Sequence, residues 1–235
     1  YFIDNIYYDK SNIDYEKIGY FPGSLAPNYM VVAGVDFDRH AEGVNVSTYL
    51  GSGENIYASS QNLYAAVTRY NIAPHPIVRD SAAPQPEVKI NDRETTIYRF
   101  ALNGGKLDYT GKGQVPGSIL NQFSMDEDDG YFRIATTKGD IWGEGENISK
   151  NNMYVLDSDL EVCGSLENVA PGEKIYSVRF MGDRAYMVTF RKVDPLFVID
   201  LKDAKNPKIL GALKIPGYSD YLHPYDENHI IGFGK

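Results

Sequence analysis

Apolar and polar side chains alternate with a period of two along short stretches of this chain, and the stretches are divided by Gly, Pro and Asp. Lys174 to Leu201 reads KIYSVRFMGDRAYMVTFRKVDPLFVIDL. Tyr176, Val178 and Phe180 fall on one side of an extended backbone, and Tyr186, Val188 and Phe190 do the same after the turn MGDR at 181–184. That is the pattern of two half-buried strands joined by a tight Gly-Asp turn. The run LFVIDL at 196–201 is apolar almost throughout, which predicts an inner or central strand covered on both faces. Helical spacing is not evident anywhere, so the expected class is all-β.

The pattern then repeats. An apolar strand, a second strand, a Pro-Gly and a hairpin recur as TTIYRF…VPG…GYFRIATT (95–137), NMYVLD…APG…DRAYMVTF (152–190) and LFVIDL…IPG…NHIIGFG (196–234). The Pro-Gly pairs begin at 116, 171 and 216, and Tyr98, Tyr154 and Phe197 keep a similar period. A less regular unit, YMVVAGVDF…VSTYLG…NIYASSQNLYAAVTRY (29–70), shares Ile-Tyr and Tyr-x-x-Val-Thr but lacks Pro-Gly. Units of roughly 40 to 60 residues with four strands each predict a β-propeller, about four blades of it, across residues 29–235. Residues 71–94 hold four prolines and little periodicity, and are expected as a surface excursion between two strands of one blade. Residues 1–28 are expected as a lead-in or the remnant of a preceding blade.

Composition narrows the function classes. With 32 acidic against 23 basic residues the formal charge is −9, and no Lys/Arg cluster offers the counterion release on which nucleic-acid binding rests. Cys163 is the single cysteine, which excludes an intramolecular disulfide and a cysteine-based zinc site. No apolar run approaches the roughly 18 residues of a membrane span. The opening YFIDNIYYDK lacks the basic and apolar regions of a signal peptide.

Several strings carry candidate chemistry. Asp126, Glu127, Asp128 and Asp129 in MDEDDG offer the oxygen ligands that Ca²⁺ prefers, but the EF-hand spacing is missing. An acidic hairpin turn with Asp-Gly at its tip is the plainer reading. His223, Asp226, Glu227 and His229 in YLHPYDENH hold metal-binding and acid-base types without a helical HExxH spacing, at an expected blade turn. GSGEN at 51–55 lacks the Lys-Ser/Thr element of a phosphate loop. Cys163 in LEVCGSL reads as a small buried strand residue. Tyr218, Tyr221, Tyr225 and the lone Trp142, in KGDIWGEGEN, fall on expected connections; core or blade-edge packing is the plainer reading, and recognition by exposed aromatics on loops is the alternative. No catalytic, cofactor-binding or metal-ligating residue is assigned, and Ca²⁺ at the acidic turns is the one candidate cofactor.

ILNQFSMDEDDGYFRIATT (119–137), APGEKIYSVRFMGDRAYMVTFRKVDPLFVIDL (170–201) and NPKILGALKIPGYSDYLHPYDENHIIGFGK (206–235) resemble the secreted prokaryotic proteins with a C-terminal β-propeller distantly related to WD40 repeats. The likeness extends more weakly back to about residue 20. It implies an extracytoplasmic protein whose targeting segment is not in this chain, and it brings no catalytic residues with it. Members of that family continue past the HIIGFG strand, which implies a fragment of a larger propeller that closes with further blades or by self-association. The expected function is an extracytoplasmic binding or interaction module with a protein or cell-surface polymer partner. The alternatives are a hydrolase or lyase acting on surface polymer through the central channel, and a structural domain of a larger surface protein.

Overall fold

A computed structural model describes residues 2–3, 6–7, 14–22, 27–36, 44–51, 55–70, 93–191, 194–215 and 217–235. The chain begins with a small antiparallel pair, β1 (Phe2–Ile3) and β2 (Ile6–Tyr7). Blade 1 contains β3 (Ile18–Tyr20), β4 (Tyr29–Val35) and β5 (Val44–Leu50), ordered β3-β5-β4 with β3 parallel to β5. Blade 2 is a four-stranded antiparallel meander of β6 (Asn55–Ala58), β7 (Asn62–Tyr70), β8 (Arg93–Asn103) and β9 (Lys106–Pro116). Blade 3 repeats it with β10 (Met125–Asp128), β11 (Tyr131–Lys138), β12 (Lys150–Leu156) and β13 (Val162–Val169). Blade 4 does so with β14 (Lys174–Met181), β15 (Arg184–Phe190), β16 (Asp194–Asp200) and β17 (Lys208–Ile215). Blade 5 is the hairpin of β18 (Ser219–Asp226) and β19 (His229–Gly234).

Helix among the described residues is confined to 3-10 turns at Tyr15–Lys17, Gln122–Ser124 and Gly145–Asn147. None is long or apolar enough to cross a membrane. Residues 71–92, between the paired strands β7 and β8, lie outside the described residues.

The sequence repeat and the blade are out of step by two strands. The unit 95–137 holds β8 and β9 of blade 2 and then β10 and β11 of blade 3, so its Pro-Gly falls at the joint between blades. Gly117, Gly172 and Gly217 have φ of 93°, 86° and 95°, a region that glycine enters without steric cost. The Gly117 N–H donates to Arg93 O at 2.7 Å and the Gly172 N–H to Ser149 O at 2.8 Å. The joint turns the chain from the last strand of one blade into the next while its backbone stays bonded.

Both faces of each middle blade are buried, which is why the strand cores read as unbroken apolar runs. On β7, Ala65 and Val67 pack with Phe21 and Met30 of the first blade, while Tyr64 and Ala66 pack with Phe132, Ile134 and Leu156 of blade 3. On β12 the neighbours Met153 and Val155 turn the other way, onto Val178, Ala185, Met187 and Ile199 of blade 4. Strict alternation fails at several register shifts, one of them in β14. A bulge between Ile175 and Ser177 adds one residue, so Ile175 and Val178, three apart, share a cluster. Tyr176, expected beside Val178, packs instead on Phe190 and Tyr218.

Candidate functional site

The excursion between β11 and β12, residues 139–149, is a compact loop organised around Asp140. The Asp140 N–H donates to Asn147 O (2.9 Å), and its carbonyl accepts from the N–H groups of Ser149 (2.8 Å) and Gly143 (3.0 Å). Its side-chain Oδ1 accepts from the Trp142 N–H at 2.8 Å, an Asx-type turn. Gly143 lies so close to the Asn147 carbonyl that a β-carbon has no room. The loop therefore satisfies its own backbone groups and holds one shape, from which Trp142 projects with 81% of its surface exposed. The Arg191 guanidinium of blade 4 stands 5.4 Å from the Trp142 ring centroid.

A cleft flanks the loop on each side. One, about 380 Å³, runs from Pro116 past Lys138, Glu146 and Lys150 to Tyr154 and Glu167. Burial, followed by the Glu167 carboxylate, pushes the Tyr154 hydroxyl well above its ordinary range. The other, about 350 Å³, is walled by Leu120, Ile141 and Trp142 and by the aliphatic Ile119 and Ile175, with Lys174 at its edge. The Ser149 hydroxyl, fully buried, lines this second cleft and has no partner among the described residues. Lys174 and Arg191 form no ion pair among the described residues; the Lys174 ammonium lies 5.1 Å over the Tyr176 ring.

The acidic string MDEDDG is a hairpin turn in which the carboxylates of Asp126, Glu127 and Asp128 have partners. Asp129 and Gly130 take φ of 49° and 78° at its tip. Arg133, directly opposite Asp126 in the β10–β11 register and 4% exposed, binds the Asp126 carboxylate and lies 3.3 Å from that of Asp128. Its Nη1 also donates to Gly182 O in the blade 4 turn at 2.8 Å. Glu127 accepts from Asn62 Nδ2 at 2.7 Å, and its N–H donates to the Tyr57 hydroxyl at 3.1 Å. The turn is thus tied to the blades on both sides. Among the described residues no three His, Cys, Asp or Glu side chains gather as a metal-ligand set.

The string YLHPYDENH does not converge either. His223 Nδ1 bonds the Tyr221 hydroxyl at 3.1 Å, whereas His229 Nδ1 meets Asp226 Oδ1 at 2.7 Å on the exposed β18–β19 turn. The Asn228 N–H, then His229, hold the Asp226 carboxyl below its usual value. Cys163 lies on β13, its Sγ donating to Val155 O at 3.4 Å, and burial raises its pKa. Of GSGEN, Gly51 and Asn55 bound the connection from β5 to β6, and residues 52–54 lie outside the described residues.

The aromatics divide differently from the expectation that placed all four on connections. Tyr221 and Tyr225 are on β18, and Tyr218 directly before it packs on Tyr176 and Phe190. Tyr221 helps to enclose Arg179, whose guanidinium lies 4.0 Å from the Phe123 ring and 5.1 Å from that of Tyr221. Arg179 Nε donates to Leu222 O at 2.9 Å, joining blade 4 to blade 5. Only Tyr225 and Trp142 of the four stand free, and only Trp142 is on a loop beside a cleft. Arg133 and Arg179 were not singled out by sequence reasoning; a lone Arg inside an apolar strand was the available signal.

Two comparisons bear on kinship. A protein of Methanocaldococcus jannaschii described as uncharacterized is 59% identical over 123 residues, 52% of this chain and 20% of that protein. One of Archaeoglobus fulgidus, described likewise, is 49% identical over 142 residues, 60% of this chain and 21% of that protein. The chain spans about a fifth of the length of these curated relatives. The family described as "Beta propeller domain" matches residues 6–235. That match covers nearly the whole chain and agrees with the blade-by-blade architecture, and on it the chain belongs to the β-propeller domain family.

Proposed function

We propose that this chain is an extracytoplasmic binding module that meets its partner, a protein or a cell-surface polymer, at the end of the blades that carries the 139–149 loop. One observation carries the reading: Trp142 is 81% exposed on a loop fixed by its own hydrogen bonds. Large aromatics are ordinarily buried, and a rigid exposed tryptophan loses little conformational freedom on contact, which makes it a strong anchor. The position between two clefts supports recognition by loops on a stiff scaffold.

The hydrolase or lyase reading has less behind it. The close acid–histidine pair among the described residues, Asp226 and His229, sits on an exposed turn instead of in a cleft. The test of the binding reading is retention of the purified chain on isolated cell-envelope material. Trp142→Ala is expected to reduce retention severalfold, and Tyr225→Ala, removing an aromatic 71% exposed elsewhere, is expected to leave it unchanged. Equal retention of Trp142→Ala and the parent chain overturns the reading.

A further inference from the structure

The cleft between the Trp142 loop and blade 4 is lined by Trp142, Lys174 and Arg93, and the Arg191 guanidinium stands beside it, 5.4 Å from the Trp142 ring centroid, on a chain whose formal charge is −9. The geometry points to an acidic sugar as its ligand: a uronic-acid residue of a mixed glycan, with one ring face on Trp142 and its carboxylate toward Lys174 and Arg191. This deepens the binding reading above and rests on it.

Three features of the cleft select this class. Trp142, Ile141 and Leu120 give it a flat, open apolar rim, and a volume of about 350 Å³ is at the small end of the range for small-molecule sites. An apolar rim suits the C–H face of a sugar ring, which is itself amphipathic. The cations come next. Lys174 lines the cleft, Arg191 stands 5.4 Å from the indole centroid, and neither has a carboxylate partner among the described residues, so a ligand carboxylate gains charge-assisted hydrogen bonds there without displacing an existing pair. The acid in the cleft lining is Asp140, and its Oδ1 is bound to the Trp142 N–H. Finally, the buried Ser149 hydroxyl lines the cleft unpartnered and is able to bond a ligand hydroxyl.

An acidic peptide is the competing occupant. Extended peptides are commonly held by main-chain pairing along a free strand edge. The strands behind the loop, β11 and β12, are each bonded on both sides, so they offer such a peptide no edge. A dense polyanion such as single-stranded nucleic acid also stacks on aromatics, but the chain's net negative charge opposes it.

Trp142 is the only tryptophan, so its fluorescence reports this site alone. The experiment titrates the intact chain with hyaluronan tetrasaccharide, whose uronic acids alternate with neutral sugars, with its carboxyl-reduced form, with a Glu-rich peptide and with oligo-dT. Saturable change with the acidic sugar and none with the reduced form supports the proposal. Calorimetry on variants completes it: Lys174→Gln and Arg191→Gln are each expected to weaken binding about five- to tenfold, and Trp142→Ala to remove it with the melting temperature unchanged. Equal binding of the reduced sugar overturns the role of the cations, and preference for peptide or oligo-dT overturns the ligand class. Absence of any sugar binding also overturns the acidic-sugar proposal. If envelope retention still depends on Trp142 in that case, the binding reading stands and only the ligand class falls.

Discussion

The carbonyl oxygen of Ala204, in the β16–β17 turn of blade 4, occupies the space that a β-carbon on Gly164 in β13 of blade 3 would need. The relationship recurs between blades: the Leu160 carbonyl crowds Gly113 of β9, and the Gly105 carbonyl crowds Gly34 of β4. Blades 1, 2 and 3 thus each seat the outer turn of the next blade on a glycine, backbone against backbone.

Gly164→Ala is therefore expected to cost about 1–3 kcal/mol, because two backbones must separate and cannot do so by a rotamer change. Gly211 supplies the contrast. It faces Val198 across a bulged ladder as Gly164 faces Val155, yet no described atom lies within 4 Å of its missing β-carbon. Gly211→Ala is expected to stay within about 0.5 kcal/mol of the parent. Urea unfolding of the two variants checks both values, and a Gly164→Ala protein as stable as the parent refutes the seating argument.

Arg133 is buried and draws on two blades through Asp126, Asp128 and Gly182 O. Asp126→Asn leaves its guanidinium with less than its full counter-charge away from water, and is expected to lose about 2–4 kcal/mol. Lys208, whose ammonium is 3.6 Å from Asp200 but largely exposed, provides the control, and Lys208→Gln is expected to cost less than about 1 kcal/mol. Chemical denaturation again gives the comparison. Equal losses would mean that the buried node contributes no more than a surface pair.

Alkaline pH is expected to weaken the fold. Burial, then Glu127 for Tyr64 and Glu167 for Tyr154, raises both phenols, and burial first raises the Cys163 thiol. The native state thus keeps protons that the unfolded chain releases above about pH 8.5 for Cys and about pH 10 for Tyr. Where the unfolded state binds fewer protons, stability falls with rising pH. The thermal midpoint should hold up to about pH 8 and drop through pH 9–11, with a smaller drop in Tyr64→Phe/Tyr154→Phe. Alkylation of Cys163 at pH 8 should be slower than that of a free peptide cysteine. A midpoint flat to pH 11 contradicts the shift.

Much of the fold was legible because its determinants are local. Period-two alternation marks strands, the Gly182-Asp183 turn joins β14 to β15 as expected, and LFVIDL is bonded on both sides as β16. The bulge between Ile175 and Ser177 was not legible, since nothing in KIYSV signals an extra residue. The blade boundaries were hidden too. A linear repeat has no intrinsic starting point, and only the pairing of β9 with β8 and of β10 with β11 shows that Pro116-Gly117 is a joint.

The same division holds for the candidate site. Trp142 in a Gly-rich connection was visible only as the second of two readings, behind packing, and Lys174 and Arg191, 32 and 49 positions further on, carried no signal that joins them to it. MDEDDG declared its turn geometry through Asp-Gly, and its tie to Arg133 and to the neighbouring blades depended on which strands lie side by side.

By itself the sequence determined the strands, their turns and the repeat, because alternation, positive-φ glycines and Pro-Gly joints act over a few residues. The tertiary structure alone decided which residues meet across blades: the seat of Ala204 on Gly164, the node at Arg133, and the cations beside Trp142. Those contacts join residues far apart in the chain, and they exist only once the blades pack face to face.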